Sequence, residues 1–324
     1  MQIKTSHKIT DYIRKKGQAS GSELTQYLNI TSRAVRKQLN NLLKEHVVYK
    51  IGKPPKVFYL LAKNKKSSLI VNIDKKSEKI ITDNFLLITP SGERKEGIPA
   101  FLDWCEKRNE KVDKTAKEYI KSIKKYNHYK KGGLIDGSYK LKHTFKEIYL
   151  DKVFYLDFYS IERFGKTKLG QLLLYAKQSQ NRTLINELVE KIKPQIISLI
   201  KKNKIDAIGF IPPTVKREIQ LMKEMEKKLH LSLPTLSLIK VKTTITVPQK
   251  TLNKLEDRIE NAKNTIILND THKYNNLLLI DDALGSGSTL NETAKKIKQQ
   301  KVSKTIIGLA ITGSFSGFEV ISEV

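Results

Sequence analysis

Cysteine is almost absent from this chain of 324 residues, Cys105 being the single one, so neither an internal disulfide framework nor a cysteine-rich zinc site is available. Cys105 beside Trp104 in an apolar-periodic helix reads as a packed thiol, since no partner base is evident. Long hydrophobic runs are missing too. No stretch approaches the ~18 to 20 apolar residues of a bilayer span, and Met1-Gln2-Ile3-Lys4 runs into a polar helix rather than a signal peptide. The expectation is a cytoplasmic protein with no membrane association. Acidic residues are scarce, 33 against 61 basic ones, which leaves a formal net charge of +28. That surplus attracts polyanions and anionic substrates, although lysine spread along the whole chain also suits a solvated surface or an AT-biased genome.

What is present begins with 39% hydrophobic content, enough to core two domains. One stretch then stands out, Leu277-Leu278-Leu279-Ile280-Asp281-Asp282 followed by Ala283-Leu284-Gly285-Ser286-Gly287-Ser288-Thr289. An unbroken apolar run ending in two carboxylates is a buried, parallel-type strand that delivers acids to its carboxyl edge. The small residues after it let backbone N–H groups close on an anion, and a helix starting near Asn291 reinforces that preference. Carboxylates that accept from vicinal hydroxyls beside a phosphate cradle suit a sugar phosphate.

This stretch resembles the motif by which type I phosphoribosyltransferases bind phosphoribosyl pyrophosphate (PRPP). The resemblance implies that Asp281 and Asp282, the catalytic pair, hold the ribose 2′ and 3′ hydroxyls, and that Ala283 to Thr289 hold the 5′-phosphate. The family's loop more often begins with Thr where this chain has Gly285-Ser286. A Walker B strand also ends in acids but needs a P-loop upstream. The nearest candidate, Ser160-Ile161-Glu162-Arg163-Phe164-Gly165-Lys166-Thr167, lacks the first glycine and puts a carboxylate and a phenyl ring where backbone should wrap phosphate.

Earlier in the chain, helical patterns over Ile3 to Lys16 and Ser20 to Leu28 precede a third, for which Ser32 is the expected cap. There Val35, Leu39, Leu42 and Leu43 face inward and Arg33, Arg36, Lys37 and Asn40 outward. Val47 to Ile51 and Val57 to Leu61 flank a basic tip containing Lys53 and Lys56, which reads as a hairpin. The order resembles the winged helix-turn-helix of bacterial regulators over residues 1–62. That resemblance implies duplex DNA as partner, with Ser32, Arg33, Arg36, Lys37 and Asn40 in the groove and Lys53 and Lys56 on phosphates. The competing use of such a fold is pairing with another protein.

Residues 63–153 read as a connecting α+β region: a polar hinge at Lys63 to Ser68, strands at Leu69 to Ile73 and Phe85 to Ile88, helices over Ile98 to Arg108 and Lys111 to Tyr126, and a loop from Asn127 to Gly133. From 154 to 324, helix and strand alternate, with helices expected over Val215 to Leu229 and Leu252 to Ala262 and strands at Ala207 to Ile211, Thr235 to Ile239, Leu277 to Ile280 and Thr305 to Ile311. The expected class is α/β, a mainly parallel sheet flanked by helices. Pro212, Pro213, Thr214, Lys216 and Arg217 follow a strand and suit a pyrophosphate loop, while a proline-capped helix start explains them equally well. Lys240 to Lys250, including Lys242, is long and basic enough for a flexible cover.

Gln249, Leu252, Asp257-Arg258 and Asn261 resemble the Gln-x-x-Leu…Glu-Arg-x-x-Asn signature of ComF-like phosphoribosyltransferases, which assigns Lys242, Gln249, Lys250, Arg258 and Asn261 to the flexible loop. Two departures stand beside it. The family's zinc ribbon is absent, and its Arg-Gly-Phe-Asn-Gln stretch appears only as Arg217-Glu218-Ile219-Gln220. The family implies Mg²⁺ held through PRPP, with Asp281 and Asp282 as nearby carboxylates, a PRPP or ribonucleotide ligand, and a homo-oligomer. A winged helix fused to such a transferase is similar to the ShosT-type toxins of phage-defence toxin–antitoxin modules, which implies a DprA-like antitoxin partner. The alternative is a PRPP-sensing, non-catalytic regulator resembling the purine-operon repressors.

Overall fold

The computed structural model describes residues 4–62, 73–241 and 243–314, and the backbone alone of Lys250. The expected hinge at Lys63 to Ser68, most of the strand expected before Ile73, and Lys242 lie outside the described residues. No described helix is long and apolar enough to cross a membrane. The chain divides into two compact units, Met1–Val71 and Asn72–Val324.

In the first unit, helix Thr5–Lys16 buries Ile9 and Ile13 and stops at Gly17. Ser20 then caps helix Gly21–Leu28 through a reciprocal box with Glu23, the Glu23 N–H donating to Ser20 Oγ at 3.2 Å and the Ser20 N–H to Glu23 Oε2 at 2.6 Å. The next helix, Ser32–Lys44, is capped by Thr31 and not by Ser32, because Thr31 Oγ1 accepts the Ala34 N–H while Ser32 is the first helical residue. Val35, Leu39 and Leu42 are buried as expected; Leu43 is only half-buried. Strands Val48–Lys53 and Lys56–Leu61 form a hairpin that turns on Pro54-Pro55, with Ala19–Ser20 as a third strand. Gly52 at φ +86° sits where a Cβ would meet the Lys56 carbonyl oxygen at 2.1 Å, so the turn admits only glycine.

The second unit is mixed α/β. Its six-stranded sheet runs Ala207–Phe210, Tyr274–Leu284, Ser303–Gly313 and Lys152–Phe158 in parallel, then Leu134–Asp136 and Lys130–Lys131 antiparallel. Alternate residues of the central strand enter opposite cores. Leu277 and Leu279 join the aromatic layer of Phe101, Trp104 and Tyr119, while Leu278 and Ile280 face helices Lys168–Ser179, Arg182–Lys202 and Leu221–Leu229.

Several expectations change here. Within the connecting region, helices Lys75–Asn84, Gly97–Lys107 and Val112–Asn127 pack their apolar faces into the same core as the sheet. The loop expected over Asn127 to Gly133 contains the edge strand Lys130–Lys131. The strand expected at Thr235 to Ile239 begins beside the sheet, where Thr235 bridges Ile208 in parallel, and continues as Leu238–Lys240, which pairs antiparallel with Ile266–Leu268 in a second ribbon. The helix expected from Val215 starts only at Leu221. Arg217 and the Ile219 N–H are drawn away to Lys177, Gln178 and Gln180, which holds 211–220 as a loop. Cys105 is fully buried, and burial pushes its thiol up to about 11, which makes it a packing residue.

Candidate active site

The acid pair lies inside a strand rather than at its tip. Strand Tyr274–Leu284 continues past Ile280, and Asp281, Ala283 and Leu284 remain paired with Ala310, Thr312 and Gly313. On its other side the neighbouring strand stops at Phe210, and Ile211 gives a last N–H to the Ile280 carbonyl at 2.9 Å. One edge is thereby freed, and a crevice opens beyond the carboxyl end of Ala207–Phe210, where open α/β sheets bind ligands.

A cavity of about 190 Å³ fills that crevice. Asp281, Asp282, Ala283 and Gly285 to Thr289 line one side, Pro212, Pro213, Thr214 and Arg217 a second, and Lys240, Gln249 and Arg258 a third. Lys177 lines it as well. Most of the residues singled out as site candidates therefore meet around one space, although they come from stretches up to eighty positions apart. Four cations, Lys177, Arg217, Lys240 and Arg258, surround two carboxylates.

The turn leads directly into a helix. Gly287, in the left-handed region at φ +86°, caps helix Ser288–Gln299 and has no side chain to cap it, so beyond Ser288 the first N–H groups have no side-chain acceptor. Ser286 Oγ and Ser288 Oγ lie 2.7 Å apart, and Ser286 Oγ also takes the Ser288 N–H, so both hydroxyls converge inside the loop. The Arg258 guanidinium stands 3.7 Å from where a Cβ on Gly285 would project, close enough to share an anion held there.

Electrostatics couple the walls. Burial, and secondarily the neighbouring Asp282, push the Asp281 carboxyl well above the usual carboxylate range. Its Oδ1 accepts the Asp282 N–H at 2.8 Å. Lys177 donates to the Asp282 carboxylate. Burial pulls Lys240 down to about 8, against the pull of Asp281, and it also lowers Arg258.

Other candidates depart from their expected places. Leu284 is a buried core residue and offers the loop only its carbonyl, which accepts from buried Lys140 at 3.3 Å. Lys216 lines a second, adjoining cavity and not this one. Arg258 and Asn261 belong to helix Leu255–Thr265 rather than to the loop, and hydrogen bonds join them to residues 247–252. Arg258 Nε donates to the Leu252 carbonyl at 2.7 Å, Gln249 Nε2 to the Arg258 carbonyl at 3.0 Å, and Asn261 Nδ2 to the Val247 carbonyl at 3.3 Å. Sequence reasoning missed Lys177 and Lys140, and nothing local marks either among so many lysines.

Among the described residues no cluster of three His, Cys, Asp or Glu side chains could hold a metal by itself. The two carboxylates, one already paired with Lys177, suit a hard cation whose remaining positions are filled by ligand oxygens and water. In the first unit, Ser32, Arg33, Arg36, Lys37, Asn40, Lys53 and Lys56 are all exposed.

No protein-family model matches this chain, and no curated protein matches it. Among solved structures, a hypoxanthine phosphoribosyltransferase from Staphylococcus aureus is similar at 19% identity and a TM-score of 0.23, over 38% of this chain and 63% of that one.

Proposed function

We propose that the second unit binds a 5-phosphorylated ribose and acts as a phosphoribosyltransferase with PRPP as donor. The observation that carries this reading is the meeting of the acid pair, the glycine-serine turn and four cations in one cavity. Asp281 and Asp282 accept from the ribose 2′ and 3′ hydroxyls, and the backbone donors of Gly285 to Thr289 take the 5′-phosphate with Arg258 beside them. A nitrogen lone pair of the acceptor forms the bond to C1 as the C1–O bond breaks. The pyrophosphate leaves with that electron pair, and the proton from nitrogen passes to water. The transition state is oxocarbenium-like, so orientation and charge stabilisation are the main contributions of the protein. Arg217, Thr214 and Lys240 face the departing group. Asp281 and Asp282 would be the carboxylates nearest a Mg²⁺ bound together with PRPP, which would supply neutralisation of leaving-group charge.

Calorimetry with PRPP and Mg²⁺ tests this, with pyrophosphate release as a second readout. Binding by the wild-type chain and loss of both signals in Asp281→Asn/Asp282→Asn are expected. Wild-type protein that gives no heat with PRPP ends the reading.

A second reading concerns the first unit, which we take to be a winged helix-turn-helix because its exposed third helix and hairpin tip carry Arg33, Arg36, Lys37, Lys53 and Lys56. On that reading the chain contacts duplex DNA, and binding of PRPP without turnover would make it a regulator. The sequence resemblance to ShosT-type toxins supports a phage-defence setting with a DprA-like antitoxin and a homo-oligomeric assembly. Expression in a bacterium with and without Asp281→Asn checks it, since harmless wild-type protein excludes toxicity.

A further inference from the structure

Beside the active-site cavity lies a second one of about 350 Å³, which shares Pro212, Pro213, Thr214, Gln220 and Lys240 as a common wall. Its charge is one-sided. Lys216, Lys223 and Lys240 line it, and no carboxylate does so among the described residues. The first cavity, by contrast, balances its cations against Asp281 and Asp282.

Backbone geometry adds to the positive field. Helix Leu221–Leu229 begins at this wall, and its capping residue Gln220 makes no side-chain cap, its amide donating instead to the Val215 carbonyl at 3.2 Å. The first N–H groups of that helix therefore have no side-chain acceptor; Leu221 and Met222 line the first cavity and Lys223 the second, so this helix end stands at the shared wall, with Glu224 also in its first turn. Lys223 sits in the first turn, where the helix dipole disfavours a cation. Thr214, Thr243 and Thr246 supply hydroxyls around the same space.

From this we infer that the second cavity takes a phosphoryl group carried by the acceptor, so that the acceptor is a phosphorylated compound such as a nucleotide rather than a free base. This rests on the phosphoribosyl reading of the first cavity, with which the second shares Thr214 and Lys240, the residues placed there against the departing group. The leaving pyrophosphate is bonded to the same ribose whose hydroxyls meet Asp281 and Asp282, so it belongs with Arg217 in the first cavity. Lys216 and Lys223 line only the second cavity, and Lys240 lines both.

The test is calorimetry on the full chain presaturated with ribose 5-phosphate and Mg²⁺, which fills the serine-glycine turn and leaves the second cavity as the phosphate site. Probes are AMP with adenosine, GMP with guanosine, and pyrophosphate. At least one monophosphate is expected to bind tenfold or more tightly than its nucleoside. In Lys216→Gln/Lys223→Gln, both exposed and replaceable without touching the core, that difference should vanish while ribose 5-phosphate affinity stays within twofold. Two outcomes overturn the inference: monophosphates no tighter than nucleosides, or a double variant that loses pyrophosphate affinity alone, which makes the cavity a leaving-group site. Failure of ribose 5-phosphate itself to bind the wild type sinks the phosphoribosyl reading instead, and is seen before any acceptor is added.

Discussion

Lys177 donates to the carboxylate of Asp282 across 105 positions of sequence, from the last turn of helix Lys168–Ser179 to the far end of the central strand. Both side chains are largely buried, at 23% and 17% exposure, so the contact is more than a surface ion pair. Its partner acid, Asp281, also feels Lys177, which offsets part of the burial that keeps its carboxyl from ionising. Lys177→Met should therefore leave Asp282 uncompensated, raise the Asp281 carboxyl further and weaken sugar-phosphate binding. The expected stability loss is about 1–3 kcal/mol, the range for removing a charged hydrogen-bond partner. Urea denaturation reads the stability and calorimetry with ribose 5-phosphate the affinity; a variant indistinguishable from wild type in both would remove Lys177 from the site.

Two half-buried groups give stability opposite slopes in pH. Asp281 is raised above its ordinary 3.8, so from there up through its raised value the native state keeps a proton that the unfolded chain has shed. Stability then falls as pH rises. Lys240 is lowered from 10.5 to about 8, so between those values the unfolded chain keeps the extra proton and stability rises with pH. The ligand-free protein should show a shallow minimum between the two windows. Urea midpoints from about pH 4 to 10 test it, with Asp281→Asn flattening the lower limb and Lys240→Gln the upper one.

How much of this was legible beforehand follows from the range of each interaction. The apolar run Leu277 to Ile280, the acids after it and the small residues to Thr289 are contiguous, so period and composition alone suggested strand, site and helix start. Contacts between distant segments left no such trace. Lys177 is an ordinary helical lysine until the fold brings Asp282 to it. The ribbon of Leu238–Lys240 and Ile266–Leu268 carries the alternation of a sheet strand, and only its partner shows that it stands apart. Residues 73–153 read as a connecting α+β region, and the inward faces carrying Ile81, Phe101, Trp104 and Ile123 meet strands too distant in sequence to be named as their partners.

The loop glycine offers a sharper test of the phosphate cradle than the acids do. Gly287 combines φ +86° with a close approach, since an added Cβ would meet Leu141 Cδ2 at 2.5 Å. Gly287→Ala should cost about 1–3 kcal/mol from backbone strain, with crowding in addition. Ribose 5-phosphate affinity should fall more than that of ribose, because only the phosphate uses the loop. Equal losses for both ligands would place the phosphate elsewhere.

In the first unit the third helix and the hairpin tip present their cations on exposed positions, and a polyelectrolyte partner makes a quantitative demand of them. Each phosphate neutralised on duplex DNA contributes about 0.9 to the slope of log affinity against log salt. If Arg33, Arg36 and Lys53 each contact a phosphate, Arg33→Ala/Arg36→Ala/Lys53→Ala should reduce that slope by about 2.7 and weaken binding similarly for all sequences. Asn40→Ala, at a position with no charge to lose, should leave the slope unchanged and alter only preference among sequences, if it reads a base edge. Fluorescence anisotropy from about 50 to 200 mM salt separates the two. An unchanged slope in the triple variant would mean that this face does not meet DNA, and that the unit's exposed basic helix serves a protein partner instead.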